Sequence, residues 1–160
     1  MIGVYRRSGD GFIRCSDGHV RWGVFGAAGV LFVTASDSGP LVMLQMRSML
    51  AHEGGTWSVA GGALDEGETP YDGAMREAGE EVGLPPDGSR LLGEYVFAPA
   101  IDWSYTTVVV EVATPFGRSL NFETDDVGWL GTDDVDRLPL HAGFGAAWPH
   151  LRLIVKEHYP

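Results

Sequence analysis

Residues 61–84 read GGALDEGETPYDGAMREAGEEVGL, and the helix inside this stretch decides how the rest of the chain is read. Thr69 stands where an N-cap belongs, with Pro70 at the first helical position and Asp72 three residues after the cap. Tyr71, Ala74, Met75, Ala78 and Val82 recur at helical spacing and form one apolar face. Glu77, Glu80 and Glu81 fall at i, i+3 and i+4, so they share a patch on the other side, with Arg76 beside it. Gly83 suits the residue that follows a helix. The spacing predicts a helix over 70–82.

A solvated acidic face is the ordinary reading of such a patch. Two features oppose it. The carboxylates crowd the C-terminal half, where the helix dipole disfavours negative charge. Gly73 and Gly79 lie inside the helix, each at a cost of about 1 kcal/mol relative to alanine. A helix kept for stability alone would carry neither. A divalent cation with oxygen ligands, Mg²⁺ or Mn²⁺, would neutralise the cluster.

The chain around this helix has 160 residues, enough for one domain (1–160) with a core of its own. Hydrophobic content is 44% and charged content 21%, ordinary for a globular protein. The single cysteine, Cys15, excludes an internal disulfide and fits a reducing, cytoplasmic compartment. MIGVYRRSGD at the start lacks the apolar run of a signal peptide. The longest apolar stretch, WGVFGAAGVLFV at 22–33, is too short to span a bilayer and contains three glycines, so it reads as a buried strand. The net charge of −11 argues against a nucleic-acid polymer as partner. It leaves room for a small anion if a divalent cation sits between the two.

Strands are expected at 12–15 and 19–22 around a Ser16-Asp17-Gly18 turn, then at 23–34, 41–46, 57–59, 91–97, 105–113 and 127–130. TTVVVEV is rich in β-branched residues. Asp133–Arg137 reads as a single turn and 143–158 as a C-terminal helix entered or broken at Pro149. Strands and two helices out of regular alternation indicate α+β, or an α/β sandwich on a mixed sheet.

Segment 62–84 resembles the signature of the Nudix hydrolases, G-x5-E-x7-R-E-U-x-E-E-x-G-U, with U a bulky aliphatic. Gly62, Glu68, Arg76, Glu77, Glu80, Glu81, Gly83 and Leu84 match at the required spacing, and Ala78 is small at the first U. Trp57 followed by Ala60-Gly61-Gly62 is similar to the family's W-x-x-P-G-G, with alanine for the proline. The similarity extends over about 20–150. It implies an α/β/α sandwich with the signature as loop, helix, loop, and hydrolysis of a nucleoside diphosphate linked to some moiety X.

The resemblance also implies roles. Glu77, Glu80 and Glu81 match the metal-ligand glutamates, and the Gly61 carbonyl is similar to one that often adds an oxygen. Glu68 and Arg76 match the glutamate–arginine pair that orients the signature. The general base is left between Glu77, Glu80 and Glu123, the last resembling an outlying glutamate that joins the metal or the water in MutT-like members. Arg47, at the end of LVMLQM, reads as a phosphate contact or a surface arginine. His52 lines the same mouth or is an ordinary loop residue. Trp103 and Tyr105, placed in a loop before a strand, stack on a base or belong to the core. His141, Phe144 and Trp148 lie where relatives read the base, although Phe144 and Trp148 at i, i+4 also suit packing.

The leading reading is a MutT-like nucleoside triphosphate pyrophosphohydrolase, monomer or homodimer, with ordinary and oxidised nucleotides both open as substrates. An ADP-ribose or sugar-nucleotide pyrophosphatase stands second, on Pro99, 15 residues beyond Leu84. A non-catalytic nucleotide-binding module stands third, disfavoured by the intact charged positions.

Overall fold

The computed structural model describes residues 6–160. The start of the MIGVYRRSGD segment, residues 1–5, therefore lies outside the described residues.

The middle of the sheet is set by β3 (Ala27–Thr34), whose eight residues are all buried. A strand buried on both faces needs apolar residues throughout, and AAGVLFVT supplies them. Its even positions, Ala28, Val30 and Phe32, pack with Val108, Val110 and the Ala74, Ala78 and Val82 face of α1 (Pro70–Glu81). Its odd positions, Leu31 and Val33, pack with Val109 and with Phe144, Trp148, Leu151 and Val155 of α2 (Ala142–His158). The two helices thus cover opposite faces, and the result is an α+β sandwich.

The main sheet has seven strands, ordered β5 (Trp57–Ser58), β4 (Leu41–Arg47), β3, β8 (Trp103–Glu111), β7 (Arg90–Ala100), with β6 (Ala60–Ala63) against β3 and β9 (Thr124–Gly131) against β4. β3 and β8 run parallel, and the other pairs are antiparallel. β4 is registered with β3 only at Val33↔Val42 and Thr34↔Leu41, while β6 takes β3 at Ala27 to Val30. The inserted β6 separates β4 from β3 there, and Gly61 and Gly62 lie in that inserted strand. A separate hairpin, β1 (Phe12–Arg14) with β2 (Val20–Trp22), lies beside β8.

Several expectations change here. The strand expected at 23–34 starts at Ala27, because Gly23 and Gly26 have φ of 106° and 88° and turn the chain first. The strand expected at 57–59 is Trp57–Ser58, and a further strand at Ala60–Ala63 makes Gly61-Gly62 strand rather than loop. The strand expected at 105–113 starts at Trp103, so Trp103 is in β8 with Tyr105 and not in a loop, since β7 and β8 extend to a tight turn at Ile101-Asp102. Pro99 falls at the irregularity between Phe97 and Ala100 of β7, where its missing N–H breaks no ladder. Among the described residues no helix is long and apolar enough to cross a membrane.

Candidate active site

Helix α1 begins as its sequence requires: the Thr69 hydroxyl accepts from the Asp72 N–H at 3.1 Å, and Pro70 opens the first turn. It ends at Gly83, whose φ of 108° suits glycine. Between these ends the helix presents its acidic residues to β6, and the three glutamates meet different surroundings.

Glu81 is 5% exposed. One carboxylate oxygen accepts from the Gly61 N–H at 3.1 Å and from Gln45 Nε2 at 3.2 Å. Both donors are neutral. Burial pushes its carboxyl up to about 8, and the Glu77 and Glu123 charges act in the same direction. Glu77 lies over Gly62, where a Cβ would stand 2.6 Å from its carboxyl carbon. Burial raises its pKa too, against the pull of Arg76 at 3.0 Å. The Glu80 side chain is 61% exposed and lies 3.9 Å from Arg76.

Arg76 is the organiser of the loop before the helix. Its Nε and Nη2 donate to the two oxygens of Glu68, each at 3.0 Å, and Nη2 also donates to the Ala63 carbonyl at 3.0 Å. Glu68 accepts in addition from the Asp65 N–H at 3.0 Å. The Arg76 hydrogen bonds hold the Glu68 carboxyl below its usual range. A fork-to-carboxylate pair of this geometry, with the Glu68 side chain 7% exposed, is more than a surface salt bridge. Arg76 so held also binds Glu77 at 3.0 Å, whereas Glu81 is held by Gly61 and Gln45.

The donor set fits a hard divalent cation. Two desolvated carboxylates stand one turn apart, the Glu77 charge helps to raise the pKa of Glu81, and no cationic side chain reaches Glu81 among the described residues. Glu80 is the third oxygen donor on the same face. Among the described residues, no three such side chains already converge on one point. The Gly61 group seen at the site is its N–H rather than its carbonyl. Glu123 is exposed and anchored through its backbone, where its carbonyl accepts from the Ser48 N–H at 2.9 Å, and its charge reaches Glu81.

The outer residues divide. Arg47 is half-buried, and its Nε donates to the His52 carbonyl at 2.9 Å. The His52 side chain is 89% exposed. The Tyr105 hydroxyl lies against Gly29 and Gly61 in the split between strands, and burial raises its pKa. Trp103 does not join this group: its indole N–H donates to the Trp22 carbonyl at 3.3 Å and its ring lies under Arg21, so it holds the β1–β2 hairpin. Phe144 does not join it either. Buried with Leu31, Val59 and Trp148, it is core, as its i, i+4 spacing with Trp148 allows. His141 is the N-cap of α2.

A NUDIX-domain model matches residues 25–150. The chain belongs to the Nudix family. A protein of Mycobacterium tuberculosis that carries the provisional name 8-oxo-dGTP diphosphatase 3 is 39% identical over 153 residues, covering 92% of this chain and 70% of the relative. An 8-oxo-dGTP diphosphatase of Proteus vulgaris is 38% identical over 66 residues, 41% of this chain and 55% of the relative. The crystal structure of a Nudix hydrolase from M. smegmatis, RenU, superposes with a TM-score of 0.85 at 37% identity, covering 93% of this chain and 96% of that one.

Two residues of this Nudix site escape the sequence reading. Gln45 bridges the Glu81 carboxylate and Thr124, whose hydroxyl donates to its Oε1 at 3.3 Å. Its one signal is an amide inside the otherwise apolar run LVMLQM. Glu53 pairs with His141 across 2.7 Å, and nothing local in HEGGT announces that partner.

Proposed function

We propose that this Nudix protein hydrolyses nucleoside triphosphates to a monophosphate and pyrophosphate, in the manner of MutT-like members, with oxidised purine deoxynucleotides among its substrates. The observation that carries the reading is Glu81: a buried carboxyl with raised pKa, held by neutral donors beside Gly61 and beneath Glu77. Such a group costs stability unless a cation neutralises it. Similarity to relatives named for 8-oxo-dGTP supports the choice of substrate.

In this reading Glu77, Glu80 and Glu81 hold Mg²⁺, or Mn²⁺, which offsets diphosphate charge and makes water a better nucleophile near neutral pH. Arg76, anchored by Glu68, keeps Glu77 in place, and Gly61 and Gln45 keep Glu81 in place. Arg47 turns its free guanidinium nitrogens to the phosphates. Glu123, Glu77 or Glu80 accepts the proton as water oxygen bonds to phosphorus and the anhydride P–O bond breaks. The Tyr105 hydroxyl sits on the floor of the split, where a phosphate or sugar oxygen can accept from it. Trp103 and Phe144 have no part. The partner is a small nucleotide. Pro99 has a structural account in β7, so the sugar-nucleotide alternative loses its one motive.

Mass spectrometry of the products tests this, with Mg²⁺ and a panel of ordinary and 8-oxo deoxynucleoside triphosphates, ADP-ribose and sugar nucleotides. Pyrophosphate with a nucleoside monophosphate is the expected result. AMP with ribose phosphate, and no triphosphate turnover, would refute it.

A further inference from the structure

The loop between β4 and β5, residues 48–56, contains a residue in a costly backbone conformation. Glu53 has φ 53°, the one left-handed non-glycine residue among those described. An L-residue there costs about 1 kcal/mol and persists where its surroundings compensate. The compensation comes from α2. Glu53 Oε1 accepts from the Ala142 N–H at 3.1 Å, and Oε2 lies 2.7 Å from His141 Nε2. His141 in turn caps the helix: Nδ1 accepts from the Gly143 and Phe144 N–H groups at 3.1 and 3.4 Å. With Nδ1 an acceptor, the imidazole proton stands on Nε2, facing Glu53.

The same loop holds Arg47. The Arg47 N–H donates to the Thr56 carbonyl at 2.8 Å, and its carbonyl accepts from Gly55 at 2.9 Å, so the loop's ends are closed by the backbone alone. Its Nε donates to the carbonyl of His52, the residue before Glu53, at 2.9 Å. Among the described residues Arg47 forms no ion pair, although the protein has 22 acidic side chains and 11 basic ones. Its remaining guanidinium nitrogens are left for an anion. Closing the loop does not require the Glu53 carboxylate, and at the start of α2 His141 serves the Gly143 and Phe144 N–H groups while Glu53 serves that of Ala142. What the Glu53 carboxylate adds is the position of residue 52, and with it of Arg47, relative to α2.

We propose that Glu53 is a positioning residue for the phosphate contact: its carboxylate ties the 48–56 loop to the start of α2 and thereby aims the Arg47 guanidinium. The proposal rests on the assignment of Arg47 to the phosphates made above. Misplacing such a group by about 1 Å can cost up to 100-fold.

The test compares wild type with Glu53→Ala, Glu53→Gln, Arg47→Ala and the Glu53→Ala/Arg47→Ala pair. Three quantities are read: amide exchange over 48–56 and 142–145, the Kd for inorganic pyrophosphate with Mg²⁺, and kcat and KM on whichever triphosphate is cleaved. Glu53→Ala is expected to speed exchange in both segments and weaken pyrophosphate binding about 10-fold. KM should rise similarly, with kcat within about twofold. Glu53→Gln keeps an acceptor for Ala142 and should lose less. In the Arg47→Ala background, Glu53→Ala should add less than about twofold, because the two act through one group. Unchanged exchange, a fully additive double variant, a fall in kcat alone, or no pyrophosphate affinity in the wild type would overturn the proposal. A wild type that binds pyrophosphate and cleaves no nucleotide would refute the function proposed above instead, and Kd and exchange would then decide this one.

Discussion

Glu81 accepts two hydrogen bonds, both from neutral donors, and is almost wholly buried. Its folded pKa of about 8 lies above the ordinary carboxyl value of 4.5. The folded state therefore binds this proton more tightly than the unfolded chain does. The stability that follows is fully present below pH 4.5 and is lost as pH rises through about 8. Glu81→Gln keeps an acceptor for Gly61 and Gln45 and never carries the charge. In metal-free protein the variant should match the wild type near pH 5 and exceed it in Tm above pH 8. Its turnover with Mg²⁺ should fall by about 100-fold or more. A variant less stable than wild type at high pH would show that burial is not what raises this carboxyl. Normal turnover would remove Glu81 from the metal site.

Helix α1 was legible because each of its signals is local: a threonine cap, a proline at the first position, an apolar stripe and a closing glycine. One of its two interior glycines, Gly73, has a tertiary reason. A Cβ on Gly73 would overlap the Leu64 Cδ2 methyl and come within 2.9 Å of the Glu68 carboxylate that Arg76 holds. Gly73→Ala should gain about 1 kcal/mol in helix propensity. Overpacking a buried contact of this kind costs about 1–3 kcal/mol. The prediction is a net loss of Tm together with reduced turnover; a raised Tm would mean the preceding loop is free to move. Strand β6 was not legible, because Ala-Gly-Gly-Ala has little strand preference and pairs only because β3 lies beside it. Trp103 does not read as strand because Ile101-Asp102 lacks the glycine that marks most two-residue turns.

Across the whole molecule, the proposed site lies where four elements meet: Gln45 from β4, Gly61 from β6, the glutamates of α1 and Tyr105 from β8. Sequence spacing placed the α1 residues on one face, but it could not place Gln45, which lies 36 residues from Glu81. Nor could it separate Phe144, which α2 buries, from His141, three residues earlier, which caps the same helix and meets Glu53. The net charge of −11 opposes the approach of a polyphosphate. Chelating the divalent cation should therefore weaken nucleotide binding as well as stop turnover, checked by nucleotide titration with and without EDTA. Retained affinity in EDTA would mean that Arg47 and the backbone bind the phosphates unaided.

The proposed placement of a divalent cation on the α1 carboxylates is tested most directly by calorimetric titration of Mg²⁺ at pH 7, in two buffers of different ionisation enthalpy. Glu81 is largely protonated at that pH in the metal-free protein, so binding should release close to one proton. In Glu81→Gln that release should vanish and the affinity should fall at least about 10-fold. Equal affinity and equal proton release in the two proteins would contradict the account.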